Sequence, residues 1–151
     1  MPIEPDERQI SEVAGLAGGE TDGPVVMLNL NRYRERAEYQ GEVPGGLSSD
    51  VAGREAYLRY GEVAIAVLAR LDGRVLWQAD SKLTVVGDET DRYDEVVAVW
   101  YPSLAAFIAL ATDPEILAAR AHRAAGLERA ALIACVSGAE PVLAAPEPTT
   151  N

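Results

Sequence analysis

The sequence holds one cysteine, one histidine and one phenylalanine among 151 residues. A lone Cys135 cannot close a disulfide within the chain. With one His and one Cys, a zinc site of the usual Cys/His kind is not expected. Positive charge is scarce: 13 Lys and Arg stand against 24 Asp and Glu, giving a formal net charge of −11. Nucleic-acid backbones need a basic surface, so no nucleic-acid partner is expected. An anionic membrane surface is disfavoured for the same reason. No apolar run reaches the roughly 18–20 residues of a membrane span. The opening Met-Pro-Ile-Glu-Pro-Asp-Glu is acidic and unlike a signal peptide, so a cytoplasmic location is expected. No phosphate loop, dinucleotide fingerprint or Ser-His-Asp order occurs.

What is present is an ordinary globular composition, 48% hydrophobic and 25% charged. One core-forming domain is expected over residues 23–137, with a helical extension over 1–22 and an extended or disordered tail over 138–151. The stretch from Asp94 to Arg123 organises the chain. Val96 to Trp100 is an apolar, β-branched run that predicts a strand covered on both faces. Pro102 ends it, and Ser103 can cap a helix carrying Phe107 and Leu110. Asp113-Pro114 is a second helix start, with Asp as cap and Pro at the first helical position. Gly126 is the predicted stop before an apolar strand over 129–136. Cys135 falls in that strand and reads as a small core residue.

The remaining elements follow by periodicity. A short helix spans 5–17, with Ile10, Val13, Ala14 and Ala17 on one face. Val25 to Leu30 predicts a strand, with Val25, Met27, Asn29 and Asn31 on one side. Residues 32–50 form a long polar connection, of a length that is usually functional or mobile. A helix over 53–71 carries Tyr57, Tyr60, Ala64, Val67 and Leu68 at helical spacing. Gly61 inside it costs about 1 kcal/mol relative to Ala, which a close backbone or ligand would justify. A strand over 74–79 places Val75 and Trp77 together, and Lys82 to Val86 continues it or pairs separately. The order β–α–β–β–α–β after an N-terminal helix predicts an α+β, ferredoxin-like subunit. Helices cover one sheet face only, so a second copy facing the other gives a C2 homodimer.

Several stretches together resemble the DUF1330 family of the dimeric α/β-barrel superfamily. They are Gly23-Pro-Val-Val-Met-Leu-Asn-Leu, Gly53-Arg-Glu-Ala-Tyr-Leu-Arg-Tyr-Gly, Gly73-Arg-Val-Leu-Trp, Asp94 through Tyr101-Pro-Ser-Leu-Ala-Ala-Phe, Asp113-Pro, and His122-Arg-Ala-Ala-Gly-Leu. The likeness runs from about Gly23 to Val136. It implies a ferredoxin-like subunit whose dimer closes two sheets into an α/β barrel. Relatives in the superfamily often use a cavity between sheet and helices, some without a cofactor. Where the family often has Trp-Asp before the third strand, this chain has Tyr93-Asp94.

The candidate site comprises His122 and Arg123 as catalytic residues and Asn29, Tyr57, Tyr60 and Trp77 as substrate-binding residues. His122 can move a proton near neutrality, or is a surface residue at a helix end. Arg123 can bind a carboxylate, enolate or phenolate, or pairs with Glu128 or Asp94. Asn29 is either a satisfied structural amide or a polar group in a pocket. The tyrosines either fill the core or turn their hydroxyls into a cavity. No carboxylate pair stands out for acid/base work. The expectation is a small enzyme using no cofactor and no metal. It acts by proton transfer on a compact organic, polyketide-like or aromatic metabolite, in cyclisation, isomerisation or oxygenation. A non-catalytic metabolite-binding homodimer, or a structural or accessory dimer, is the alternative.

Overall fold

Eight main elements follow from those patterns in the computed structural model, which describes residues 2–136. They are α1 (Glu7–Leu16), β1 (Val25–Tyr33), α2 (Gly53–Arg70), β2 (Arg74–Asp80), β3 (Glu95–Tyr101), α3 (Leu104–Ala111), α4 (Pro114–Gly126) and β4 (Leu127–Cys135). The tail expected over 138–151 lies outside the described residues. The caps act as expected: Ser103 Oγ accepts from Ala106 N at 3.0 Å, and Asp113 Oδ1 accepts from Glu115 N at 2.8 Å. Asp22 adds a cap from a distance, its carboxylate accepting from Leu104 N at 2.7 Å and Ala105 N at 3.1 Å.

The sheet order is β2-β3-β1-β4 with every pair antiparallel, the ferredoxin-like α+β arrangement. Residues opposite one another on a ladder share a face. Val25, Met27, Asn29 and Asn31 therefore lie beside Tyr101, Val99, Val97 and Glu95. This face meets the helices, and it is divided. One half is apolar: Val25, Met27 and Tyr101 pack with Val67 and Leu68 of α2, Leu104 and Leu110 of α3, and Ile116 of α4. Each such aliphatic side chain contributes about 1.5–3 kcal/mol by leaving water. The other half, around Asn31 and Glu95, is polar.

The opposite face carries Val26, Leu28, Leu30, Val96, Ala98 and Trp100. No described helix covers it, and Trp77 and Ile133, aligned with Ala98 and Leu28, stay 49% and 50% exposed. A β-bulge at Leu76 corrects the expected placement of Trp77. Val75 pairs with Val99 and Trp77 with the next residue, Ala98, so the two point to opposite faces. Cys135 is exposed rather than a core residue, because it lies on the edge strand opposite Val26. Lys82 to Val86 forms no strand; Leu83, Val85 and Val86 are exposed in a loop that ends in a 3-10 turn at Glu89–Asp91.

The end of β1, the start of α2 and the end of α4 meet backbone to backbone. A Cβ on Gly53 would lie 2.1 Å from the Arg34 carbonyl oxygen, and one on Gly126 2.3 Å from that of Gly53. Gly61, in contrast, has nothing within 4 Å of where its Cβ would stand. The chain itself thus supplies no close neighbour to justify it. Gly126→Ala is expected to lower stability by about 1–3 kcal/mol through overpacking. Gly61→Ala is expected to raise it by up to about 1 kcal/mol. Urea unfolding of both variants checks this; equal stabilities would contradict it.

Candidate active site

The polar half of the helix-facing sheet surface gathers side chains from β1, β2, β3 and α2. Alternation along β1 brings Asn31 and Tyr33 to this side, and β3 begins there with Glu95. Glu95 is 4% exposed. Its Oε1 accepts the Tyr33 hydroxyl at 2.5 Å, and its Oε2 accepts Gln78 Nε2 at 2.7 Å. Both carboxylate oxygens are thus held by side chains, a costly group to bury unless so partnered. The Asn31 amide donates to the Tyr33 hydroxyl at 3.5 Å. The rings of Tyr33 and Tyr57 lie 5.3 Å apart and those of Tyr57 and Tyr60 5.7 Å apart, both tilted. The Arg54 guanidinium lies over Tyr33 at 5.0 Å and pairs with Asp80 at 2.9 Å.

Burial, reinforced by the Glu95 hydrogen bond, pushes the Tyr33 pKa far up. Burial also raises Tyr57, Tyr60 and Tyr101; the Arg123 charge opposes this at Tyr57 and Tyr60. These hydroxyls keep their protons at neutral pH and act as donors. A buried carboxylate beside neutral phenols can accept a proton from a carbon acid while the phenols bond the oxygen that becomes negative. Gln78 and Asp80 are exposed on β2, so the cluster reaches solvent at that sheet edge.

The sequence-predicted residues do not gather at one place. Tyr57 and Tyr60 join the cluster. Arg123 stands close enough for its charge to act on both, yet its Nη1 donates to the Ile3 carbonyl at 2.8 Å and to Glu4 Oε1 at 3.0 Å. Those partners, not Glu128 or Asp94, hold it. Asn29 donates to the Met27 carbonyl at 3.2 Å and the Val97 carbonyl at 3.3 Å, the satisfied structural amide. Trp77 sits on the other sheet face.

His122 turns away from Arg123's surroundings. Its Nδ1 lies 2.6 Å from the Tyr39 hydroxyl, which accepts from Arg59 at 3.1 Å. Its other ring partner is Pro44, which has no N–H, so the imidazole must donate to the Pro44 carbonyl. The neutral tautomer then accepts from Tyr39 through Nδ1. His122 therefore pins the 34–52 connection onto α2 and α4, aided by Glu38 N donating to the Ala125 carbonyl at 2.9 Å. Tyr33, Glu95, Asn31 and Gln78 were not singled out from sequence as site residues. The signal lay in the alternation: 29, 31 and 33 share a face, and Glu95 opens an otherwise apolar run.

The sheet order and the polar half-face define a ferredoxin-like subunit with a side-chain cluster between sheet and helices. The chain belongs to the DUF1330 family, a domain of unknown function, which it matches over residues 47–138. It is similar to the crystal structure of RPA0582, a protein of unknown function from Rhodopseudomonas palustris. Identity is 34% and the TM-score 0.74, over 88% of this chain and 94% of that one. The methylated form of RPA0582 gives 35% identity and the same TM-score of 0.74, over 89% and 93%. A dimeric ferredoxin-like protein of unknown function from Bacteroides fragilis is 18% identical, with a TM-score of 0.43, over 75% and 95%. No curated protein matches the chain. Among the described residues, no helix is long and apolar enough to cross a membrane, and no three His, Cys, Asp or Glu side chains converge as metal ligands.

Burial, and next the Arg59 charge, lower the His122 pKa below 6.5. Below about pH 6.5 the unfolded chain takes up a proton that the folded chain resists. The His122 contribution is therefore complete above that pH and is lost as pH falls toward the folded pKa. Thermal unfolding across this window should show a shallower acid-side decline in His122→Gln than in the parent. Parallel declines would contradict it.

Proposed function

We propose that this protein is a small acid–base enzyme acting on a compact organic metabolite with an enolisable carbonyl or a phenol, in an isomerisation or cyclisation. The observation that carries the reading is the buried Glu95 carboxyl, bonded by Tyr33 and Gln78, with the Tyr57 ring 5.3 Å from that of Tyr33. Glu95 accepts the proton from carbon. The electron pair moves to the carbonyl oxygen, where the Tyr57 hydroxyl donates to the developing enolate, while the Tyr33 hydroxyl keeps its one proton on Glu95 and orients the carboxylate. Return of the proton to another atom completes the reaction. Carboxylate and phenols suffice for these steps, with no cofactor or metal taking part. His122 holds the structure around the site rather than moving the proton.

The uncovered sheet face supports a homodimer. Trp77, Trp100, Leu28 and Ile133 form an apolar strip of a kind that a second copy buries across a two-fold axis. Such a pairing would close the two sheets into a barrel.

Deuterium uptake at the methyl carbon of acetophenone, followed by proton NMR in heavy water, tests the chemistry. The parent protein should accelerate exchange, and Glu95→Gln should lose at least tenfold of that acceleration. Equal rates with both proteins would sink the reading, leaving a binding or structural role. Native mass spectrometry tests the assembly: a dimer is expected, and Trp77→Glu should shift it to monomer. A parent that stays monomeric would contradict the barrel.

A further inference from the structure

The polar cluster has a second end, at Arg123, and that end is occupied by the chain's own carboxylate. Arg123 is 20% exposed, and its charge acts on the Tyr57 and Tyr60 hydroxyls. Glu4 is more open, at 45%, with Oε1 3.0 Å from Arg123 Nη1 and Oε2 3.7 Å from Arg120 Nη2. Its charge also reaches Tyr60. The segment carrying it is lightly held: Ala130 N donates to the Pro2 carbonyl at 3.1 Å, and Arg123 donates to the Ile3 carbonyl at 2.8 Å. A half-exposed ion pair of this kind is easily exchanged.

We infer that Glu4 stands in for a carboxylate of the substrate, and that residues 2–4 are a strap which the substrate's own carboxylate displaces from Arg123. This rests on the acid–base reading and narrows its substrate to an organic acid. The carboxylate pairs with Arg123 at the Tyr60 end, and the reacting carbonyl or phenol reaches Tyr33 and Glu95 at the other. The Arg123 guanidinium already holds one carboxylate, so the incoming acid replaces Glu4 without leaving the guanidinium unpaired, and Glu4 keeps Arg120 and water as partners. The closed strap reduces apparent affinity by the fraction of molecules in which it is open.

The test is a calorimetric titration of the full chain with para-hydroxybenzoate and with para-hydroxybenzamide, its neutral counterpart. The acid should bind at least tenfold more tightly than the amide. Glu4→Gln should tighten acid binding severalfold and leave the amide unchanged. Arg123→Met should erase the difference between the two ligands, with circular dichroism confirming the fold. Equal binding of acid and amide, or an acid weakened by Glu4→Gln, would overturn the inference. So would absence of binding by either. If acetophenone exchange still depends on Glu95 in that event, the inference alone falls; if it does not, the acid–base reading falls with it.

Discussion

Backbone contact between Gly53 and Gly126 governs the geometry of the helical layer. Only residues without a Cβ permit it: each glycine's absent methyl would fall within 2.9 Å of neighbouring backbone. The Gly126 carbonyl also accepts Arg34 N at 2.8 Å, so β1, α2 and α4 are joined at one point. From that point α2 runs over the sheet. Its early turns bring Arg54, Tyr57 and Tyr60 above the polar half, and its later turns bring Val67 and Leu68 above the apolar half.

That division separates an apolar core from a buried polar cluster. The apolar half, with Val25 at 0% and Val67 at 1% exposure, is where burial stabilises the fold. The polar half places Glu95, Asn31 and Tyr33 where aliphatic residues would pack more favourably. Burying ionisable and hydroxyl groups there needs a complete set of partners. Such arrangements concentrate at functional sites because shifted proton affinities are useful there. Comparisons with known proteins place the chain in a family of unknown function, so the chemical reading rests on these residues alone.

Much of the fold was legible in the sequence because local rules and burial agreed. Ser103, Asp113 and Pro114 marked helix starts that the structure keeps, and β-branched runs marked β1 and β3. Lys82 to Val86 misled because its β-branched residues look like a strand, while the Gly87 and Asp88–Asp91 turn chemistry takes the chain out of the sheet. The bulge at Leu76 was invisible, since alternation assumes an unbroken register, and it moved Trp77 to the far face. The site was half legible. Tyr57 and Tyr60 followed from helical spacing. Glu95 did not, because a carboxylate beside a strand reads as a solvated end until the sheet register places it against Asn31. His122 drew attention as the lone histidine, but its partners Tyr39, Arg59 and Pro44 come from segments whose proximity only the tertiary fold reveals.

If Tyr33 and Glu95 serve the proposed chemistry, the fold does not need them for stability. Thermal unfolding of the Asn31→Leu, Tyr33→Phe, Glu95→Leu triple variant tests this, because replacing a whole buried polar set by apolar groups is often neutral or stabilising, and Gln78 on the exposed β2 edge can then bond to water. A melting temperature equal to or above that of the parent is predicted, as for a site held at a cost to the fold. A fall of many degrees would show that the set holds the structure together and would contradict the account.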